Sequence, residues 1–336
     1  MWDPQPLGDP SAPALLRGEL TAPGDHRVST REYDVTVHVN QHGFVDREWG
    51  AKERPRVVVL GDSFVQAAQV TPGEGYTRRL EAALGGRAEV LAMGVPGAGT
   101  GTALGLLREQ AFDLDPDVVV LGFLLANDVY NNHPALDDKH DKPFYRLDGG
   151  ALVALDPRRA ELPLPWLWDR SEAFRALVRT LGAREEVKRR LSTPDGAPLD
   201  LHVYAPPGDP TWEEAWSVTG ALLRAMAEAC AARGVGFGVV LFPDAVGGTP
   251  AGWTAAVARW PVVAGWDVAG ARRRVAGLAG PAPVLDLFPV FEAAPAAPPL
   301  HFAADGHWTP AGHSLAAAQS VAFVTDLLEA RRAGER

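Results

Sequence analysis

The chain has 336 residues, 46% of them hydrophobic, enough to bury a full core in one large domain or in a domain carrying a sizeable insertion. Lys and Arg total 32 against 42 Asp and Glu, a formal net charge of -10, and no block of basic residues offers a phosphate-binding face, which argues against nucleic acid as a partner. A single cysteine, Cys230, excludes both an internal disulfide and a Cys-x-x-Cys zinc pair.

Residues 1–50 are rich in Pro, Gly and charge and contain one alternating stretch, Tyr33 to Val39, that reads as a strand; they are expected to form an N-terminal extension packed on a main domain of residues 51–330. The start of the chain has no basic-then-apolar signal pattern. The longest mainly apolar run, Val118 to Ala126, falls short of the ~20 residues that span a bilayer, so the chain as written is expected to be soluble, with its compartment and oligomeric state left open. From Arg56 onward, short apolar runs alternate with helical periods. The runs are Val57 to Leu60, Val90 to Ala92, Val118 to Leu121, Val235 to Phe242 and Val284 to Leu287. Tyr76, Leu80 and Leu84 recur at helical spacing before a Gly85-Gly86 stop, and Val218, Leu222, Met226 and Cys230 form another buried stripe. Strands that are apolar throughout must be covered on both faces. The expected fold is therefore a three-layer α/β/α sandwich around a mostly parallel five-stranded sheet.

The alternation stops between about Asn131 and Pro210, where a mixed-charge run (Asp137 to Lys142), Pro-flanked Trp166 and Trp168, and a helix-like segment from Ser171 to Leu191 follow one another. A stretch this long is read as an insertion, about 131–212, set beside or above the active site and governing substrate choice. The Ala/Pro-rich stretch from Phe291 to Leu300 reads as an irregular connection, and Thr309-Pro310 starts a last apolar helix that ends near Leu328.

Four strand ends carry residues suited to chemistry. Gly61-Asp62-Ser63 follows the first run, where a turn at the carboxyl end of a parallel strand presents Ser63 as a nucleophile, although an isolated Gly-Asp-Ser is more often a helix cap. Gly94-Val95-Pro96-Gly97-Ala98-Gly99-Thr100-Gly101 follows the second, and its glycines let backbone N–H groups approach a substrate oxygen. Its Gly-x-Gly-x-Gly spacing, with Thr at 102, does not fit a dinucleotide fingerprint. Asn127 ends the third run and can face an oxyanion as a neutral donor, or with Asp128 simply cap a helix. Asp305-Gly306-His307 lies just before the last helix, with His307 as general base and Asp305 orienting its ring. Trp308 is expected to pack that loop, and His313, inside the helix, to be structural.

This order of blocks resembles the SGNH/GDSL hydrolase family: Gly61-Asp62-Ser63, Gly97 in a Val-Pro-Gly turn, Asn127 in Gly-x-x-x-Ala-Asn-Asp, and His307 with Asp305. Asn40-Gln41-His42-Gly43-Phe44 is similar to a feature of a bacterial subgroup with N-terminal extensions. The resemblance spans about 40–130 and 235–328 and leaves out the insertion. Asp-x-His replaces the usual Asp-x-x-His, a spacing also seen in related bacterial members, and Ala92 stands where Asn is common. The resemblance implies cleavage of a carboxylic ester or an acylated sugar through a Ser63-His307-Asp305 acyl-enzyme. The oxyanion hole would be formed by Ser63, Gly97 and Asn127, and no metal or organic cofactor would be needed. Two other readings use the same chain: an O-acyltransferase, in which a sugar or other alcohol replaces water, and a non-catalytic ligand-binding protein on a hydrolase fold. Seven tryptophans between 166 and 266 suit the walls of a sugar or acyl pocket as well as they suit core packing.

Overall fold

The five apolar runs all become strands of one sheet in the computed structural model, which describes residues 22–137, 142–155, 193, 195–295 and 297–334. In chain order, a hairpin of β1 (Gly24–Ser29) and β2 (Asp34–Val39) precedes β3 (Arg56–Gly61), a short α1 (Ser63–Gln66), α2 (Tyr76–Ala83), β4 (Glu89–Gly94) and α3 (Thr100–Glu109). Then come β5 (Val118–Leu124), α4 (Leu125–Asp128), a second hairpin of β6 (Phe144–Asp148) and β7 (Ala151–Leu155), and α5 (Pro210–Ala231). The chain continues with β8 (Gly236–Phe242), α6 (Pro250–Arg259), α7 (Val268–Leu278), β9 (Val284–Asp286), α8 (Phe288–Glu292) and α9 (Pro310–Gly334). The central sheet has the order β4-β3-β5-β8-β9, and every neighbouring pair is parallel.

Successive residues of each strand face opposite layers, as the pleat requires. Val58, Leu60, Leu91, Met93, Val119, Leu121, Val239 and Leu241 pack with Leu104 and Leu107 of α3, Val218 and Leu222 of α5 and Val275 of α7. Val57, Val59, Val90, Val118, Val120 and Val240 pack with Tyr76 and Leu80 of α2 and Val324 and Leu328 of α9. The expected three-layer α/β/α sandwich is the fold found. Cys230 lies fully buried on the predicted stripe of α5. Helix α9 starts at Pro310 as read but continues past Leu328 to Gly334.

The chain leaves β3 to one side for β4 and returns to its other side for β5, so the strand order reverses at β3. In open α/β sheets the carboxyl ends at such a switch point are where ligands bind. The turns carrying Ser63, Gly97 and Asn127 all leave the sheet at this end.

The residues before β3 cover the edge strand. The buried Asp46 carboxylate accepts from Ala92 N (2.9 Å) and from Trp49 Nε1 (2.8 Å) and pairs with Arg78 Nε (3.1 Å). Asn40 Oδ1 accepts from the N–H groups of His42 (3.0 Å) and Phe44 (3.1 Å), closing the Asn-Gln-His-Gly-Phe turn over a buried Phe44. Within the stretch from 131 to 212, β6, β7 and a 3₁₀ turn at Leu199–Tyr204 are present. Trp166, Trp168 and the helix-like 171–191 lie outside the described residues.

Candidate active site

Strand β3 is buried along its whole length and ends at Gly61. Asp62 is the N-cap of α1, its Oδ1 accepting from Phe64 N at 2.9 Å. The cap is thus Asp62 and not Ser63, and the Ser63 hydroxyl is left for another partner. Helix α1 rests directly on the sheet because three residues beneath it, Gly61, Gly94 and Gly122, lack a side chain. A Cβ at Gly94 would lie 2.1 Å from Gln66 N, and one at Gly122 would lie 2.6 Å from the Phe242 ring and 2.9 Å from Val65. Only glycine permits that approach.

Ser63 Oγ lies 2.7 Å from His307 Nε2, and His307 Nδ1 lies 2.5 Å from Asp305 Oδ1. A carboxylate only accepts, so Nδ1 carries the ring proton and Nε2 is free to accept from the serine hydroxyl. The shortened Asp-x-His spacing works through a local turn in which Asp305 Oδ1 also accepts from His307 N, two residues on, at 3.2 Å. The His307 and Asp305 side chains remain 23% and 22% exposed, so the site is open to solvent on this side. Burial works against ionisation of Asp305, but the hydrogen bonds from His307 and Tyr33 outweigh it and hold the carboxyl at about 2.

The loop that bears this pair is fixed at both ends. Phe302 N donates to His307 O (2.8 Å) and Thr309 N to Leu300 O (2.9 Å). Trp308, fully buried, donates from Nε1 to Pro243 O (3.0 Å) and packs against Phe64, Phe242 and Phe291. It anchors the loop, as expected. His313 is also structural: its Nδ1 accepts from Tyr76 N at 3.1 Å, and burial pushes its pKa down to about 3.

A histidine held neutral in the fold must refuse a proton that the unfolded chain takes up below about pH 6.5. The stability linked to His313 is therefore complete above that pH and falls away as pH drops from 6.5 toward 3. His313→Asn is expected to flatten this part of the pH dependence of Tm while leaving ester turnover largely intact. An unchanged slope, or loss of turnover in a folded variant, would contradict the assignment.

The remaining predicted residues stand on neighbouring strand ends. Asn127, in α4, donates from Nδ2 to Asp62 Oδ2 at 2.9 Å, which spends one of its two amide hydrogens and ties it to the residue before Ser63. Burial raises the pKa of Asp62, against the hydrogen bonds from Asn127 and from Phe64 N. The turn after β4 is tied to β3 by Val95 N donating to Gly61 O (3.0 Å), and Gly97 O accepts from Lys142 Nζ (2.9 Å), with Lys142 buried and paired to Asp137. Farther along, Gly99 and Gly101 make room for protein: an added Cβ would meet Asn132 Oδ1 at 2.7 Å and Tyr145 at 3.2 Å, and Asn132 accepts from Gly101 N at 3.0 Å. Ser63, His307 and Asp305 thus form one connected chain, Asn127 joins it through Asp62, and the turn bearing Gly97 is tied to the end of β3.

Sequence reasoning did not find Glu32, Tyr33 or Lys142 beside the site. Glu32 and Tyr33 belong to a hairpin turn 273 and 272 residues from Asp305, and no local pattern marks such a contact. Lys142 had the signal of a charged run, but such runs ordinarily mark a solvated surface.

The sequence model of the GDSL-like lipase/acylhydrolase family matches residues 59–262. No curated protein matches the chain. Among solved structures, a lipase/acylhydrolase from Enterococcus faecalis is similar at 16% identity and a TM-score of 0.40, covering 81% of this chain and 96% of the other. A carbohydrate acetylesterase family member from Sinorhizobium meliloti is similar at 14% identity and a TM-score of 0.37, covering 82% and 99%. An α/β hydrolase from the metagenome of Lake Arreo reaches 18% identity and a TM-score of 0.40, covering 83% and 99%.

Proposed function

The chain belongs to the GDSL-like lipase/acylhydrolase family, whose members hydrolyse esters, and we propose that it cleaves carboxylic esters through an acyl-enzyme formed on Ser63. The observation that carries this reading is the contact chain Ser63 Oγ to His307 Nε2 to Asp305, at 2.7 and 2.5 Å, assembled from residues 244 apart in sequence. His307 takes the Ser63 proton as Oγ attacks the ester carbonyl carbon. The charge on the carbonyl oxygen is met by the backbone N–H groups of Ser63 and Gly97 and by the second amide hydrogen of Asn127. Ser63 opens α1, so its N–H has no acceptor within the helix. His307 then passes its proton to the alcohol oxygen as the C–O bond breaks. It next takes a proton from water, which attacks the acyl-serine, and returns it to Ser63 as the acid leaves.

The substrate class is a carboxylic ester of the esterase, lipase or carbohydrate acetylesterase type. The described residues that follow Asn127, up to Leu155, are assigned as part of the cover of an acyl or sugar pocket. The reach of Lys142 to Gly97 O supports that assignment. A fluorophosphonate probe is expected to label Ser63, identified by peptide mapping. Asn127→Ala is expected to lower kcat on an activated short-chain ester by about 10²–10³-fold, or ~2.7–4 kcal/mol of transition-state stabilisation, with KM little changed. Labelling of a different residue, or an Asn127→Ala enzyme that loses only affinity, would overturn the corresponding role.

A further inference from the structure

The turn between β1 and β2 is shaped to hold two side chains outward. Thr30 N donates to Tyr33 O (2.8 Å), and Thr30 Oγ1 accepts from the N–H groups of Glu32 (3.1 Å) and Tyr33 (3.3 Å). Both side chains land on the loop before α9. The Glu32 carboxylate accepts from Ala304 N (3.0 Å) and Asp305 N (2.7 Å), so it grips the backbone of the residue that orients His307. The Tyr33 hydroxyl donates to Asp305 Oδ2 at 2.7 Å, and its ring lies 5.1 Å from that of Phe302 in the same loop. Asp305 is left with one oxygen for each partner, Oδ1 to His307 and Oδ2 to Tyr33.

We infer that Tyr33 is a positioning residue of the active site, fixing the Asp305 carboxylate so that Oδ1 meets His307 Nδ1, and that Glu32 holds the backbone beneath it. This rests on the Ser63-His307-Asp305 reading. A carboxylate tied at one oxygen only can rotate about its terminal bond, and a 2.5 Å contact to an imidazole survives little rotation. The Tyr33 hydrogen bond also shares the charge of Asp305. Without it, the full charge falls on the His307 side and the imidazolium holds its proton more tightly. Burial, and after it the hydrogen bond to Asp305, raises the Tyr33 hydroxyl to about 12, so the phenol remains a donor throughout the working pH range. Asp305 meets this end of the His307 ring with Tyr33 and Glu32 behind it, and Asp62, His301 and His313 act on the ring from the N-cap of α1, the loop before α9 and α9 itself. Only the Tyr33 to Asp305 bond changes in Tyr33→Phe.

The test compares wild type, Tyr33→Phe, Asp305→Asn, the double variant and Glu32→Ala on an activated short-chain ester between about pH 5 and pH 9. Tyr33→Phe keeps the ring against Phe302 and is expected to lower kcat about tenfold, leave KM within about twofold and move the acid limb of kcat/KM to higher pH. In the Asp305→Asn background the same change is expected to add no further loss. Glu32→Ala is expected to lower kcat by a similar factor at constant KM. A Tyr33→Phe enzyme with wild-type kcat and acid limb, or a loss that adds in full to that of Asp305→Asn, would overturn the inference and leave the triad standing. If Asp305→Asn itself kept wild-type activity, the triad and the inference would fall together.

Discussion

Ser63→Ala is expected to lower turnover of an activated short-chain ester by about 10⁴-fold or more while the circular dichroism spectrum stays that of the wild type. The substitution removes one hydroxyl from a half-buried turn. That turn is held by other means, namely the Asp62 cap on Phe64 N and the seat of α1 on the strand ends, so no part of the fold depends on Oγ. The loss is therefore chemical: His307 Nε2 keeps its orientation but has no proton to take. Retained turnover above about a tenth of wild type would require another nucleophile, and fluorophosphonate labelling of the variant would locate it.

Asp305→Asn is expected to cost nearly as much, about 10⁴-fold in kcat with the geometry preserved. The carboxylate now fixes the ring proton on Nδ1. An asparagine amide placed there would donate to Nδ1 and move the ring proton to Nε2, where it faces Ser63 Oγ and blocks proton transfer. Raising the pH would not rescue this enzyme, because the fault lies in the tautomer and not in the protonation state. A loss of less than about tenfold would mean that His307 is oriented by its loop alone.

The sheet was legible because each of its strands is buried on both faces, which forces runs such as Val57 to Leu60 and Val118 to Leu121 to be apolar throughout. The candidate site residues were legible because most of them leave strand ends in compact blocks. The serine turn reads in sequence as nucleophile or cap, and the structure gives the cap to Asp62. The β6–β7 hairpin was passed over, although Gly149-Gly150 sits between two strand-like runs with positive φ at both residues, the geometry of a tight hairpin turn. Only Phe144 and Tyr145 of its strands are buried, and the first strand also carries Arg146 and Asp148, so their pattern did not stand out from the charged run before them. The support that Tyr33 and Glu32 give Asp305 could not be read at all, since hydrogen bonds between residues 272 or 273 apart leave no periodicity or spacing in the sequence.

The seat of α1 on the sheet bears on how this enzyme tolerates change. The atom nearest a side chain at Gly94 would be a backbone nitrogen of α1, which cannot swing aside, and the atoms nearest one at Gly122 belong to Phe242 and Val65 in a packed core. A single methyl at either position must therefore lift the serine-bearing turn or push apart the core that supports it, by more than a 2.7 Å proton-transfer distance allows. In a saturation-mutagenesis map of activity, these two positions would be as intolerant as Ser63 and His307, although neither carries a reactive group. Directed evolution toward new esters would have to leave both fixed and draw its variation from the loops above them.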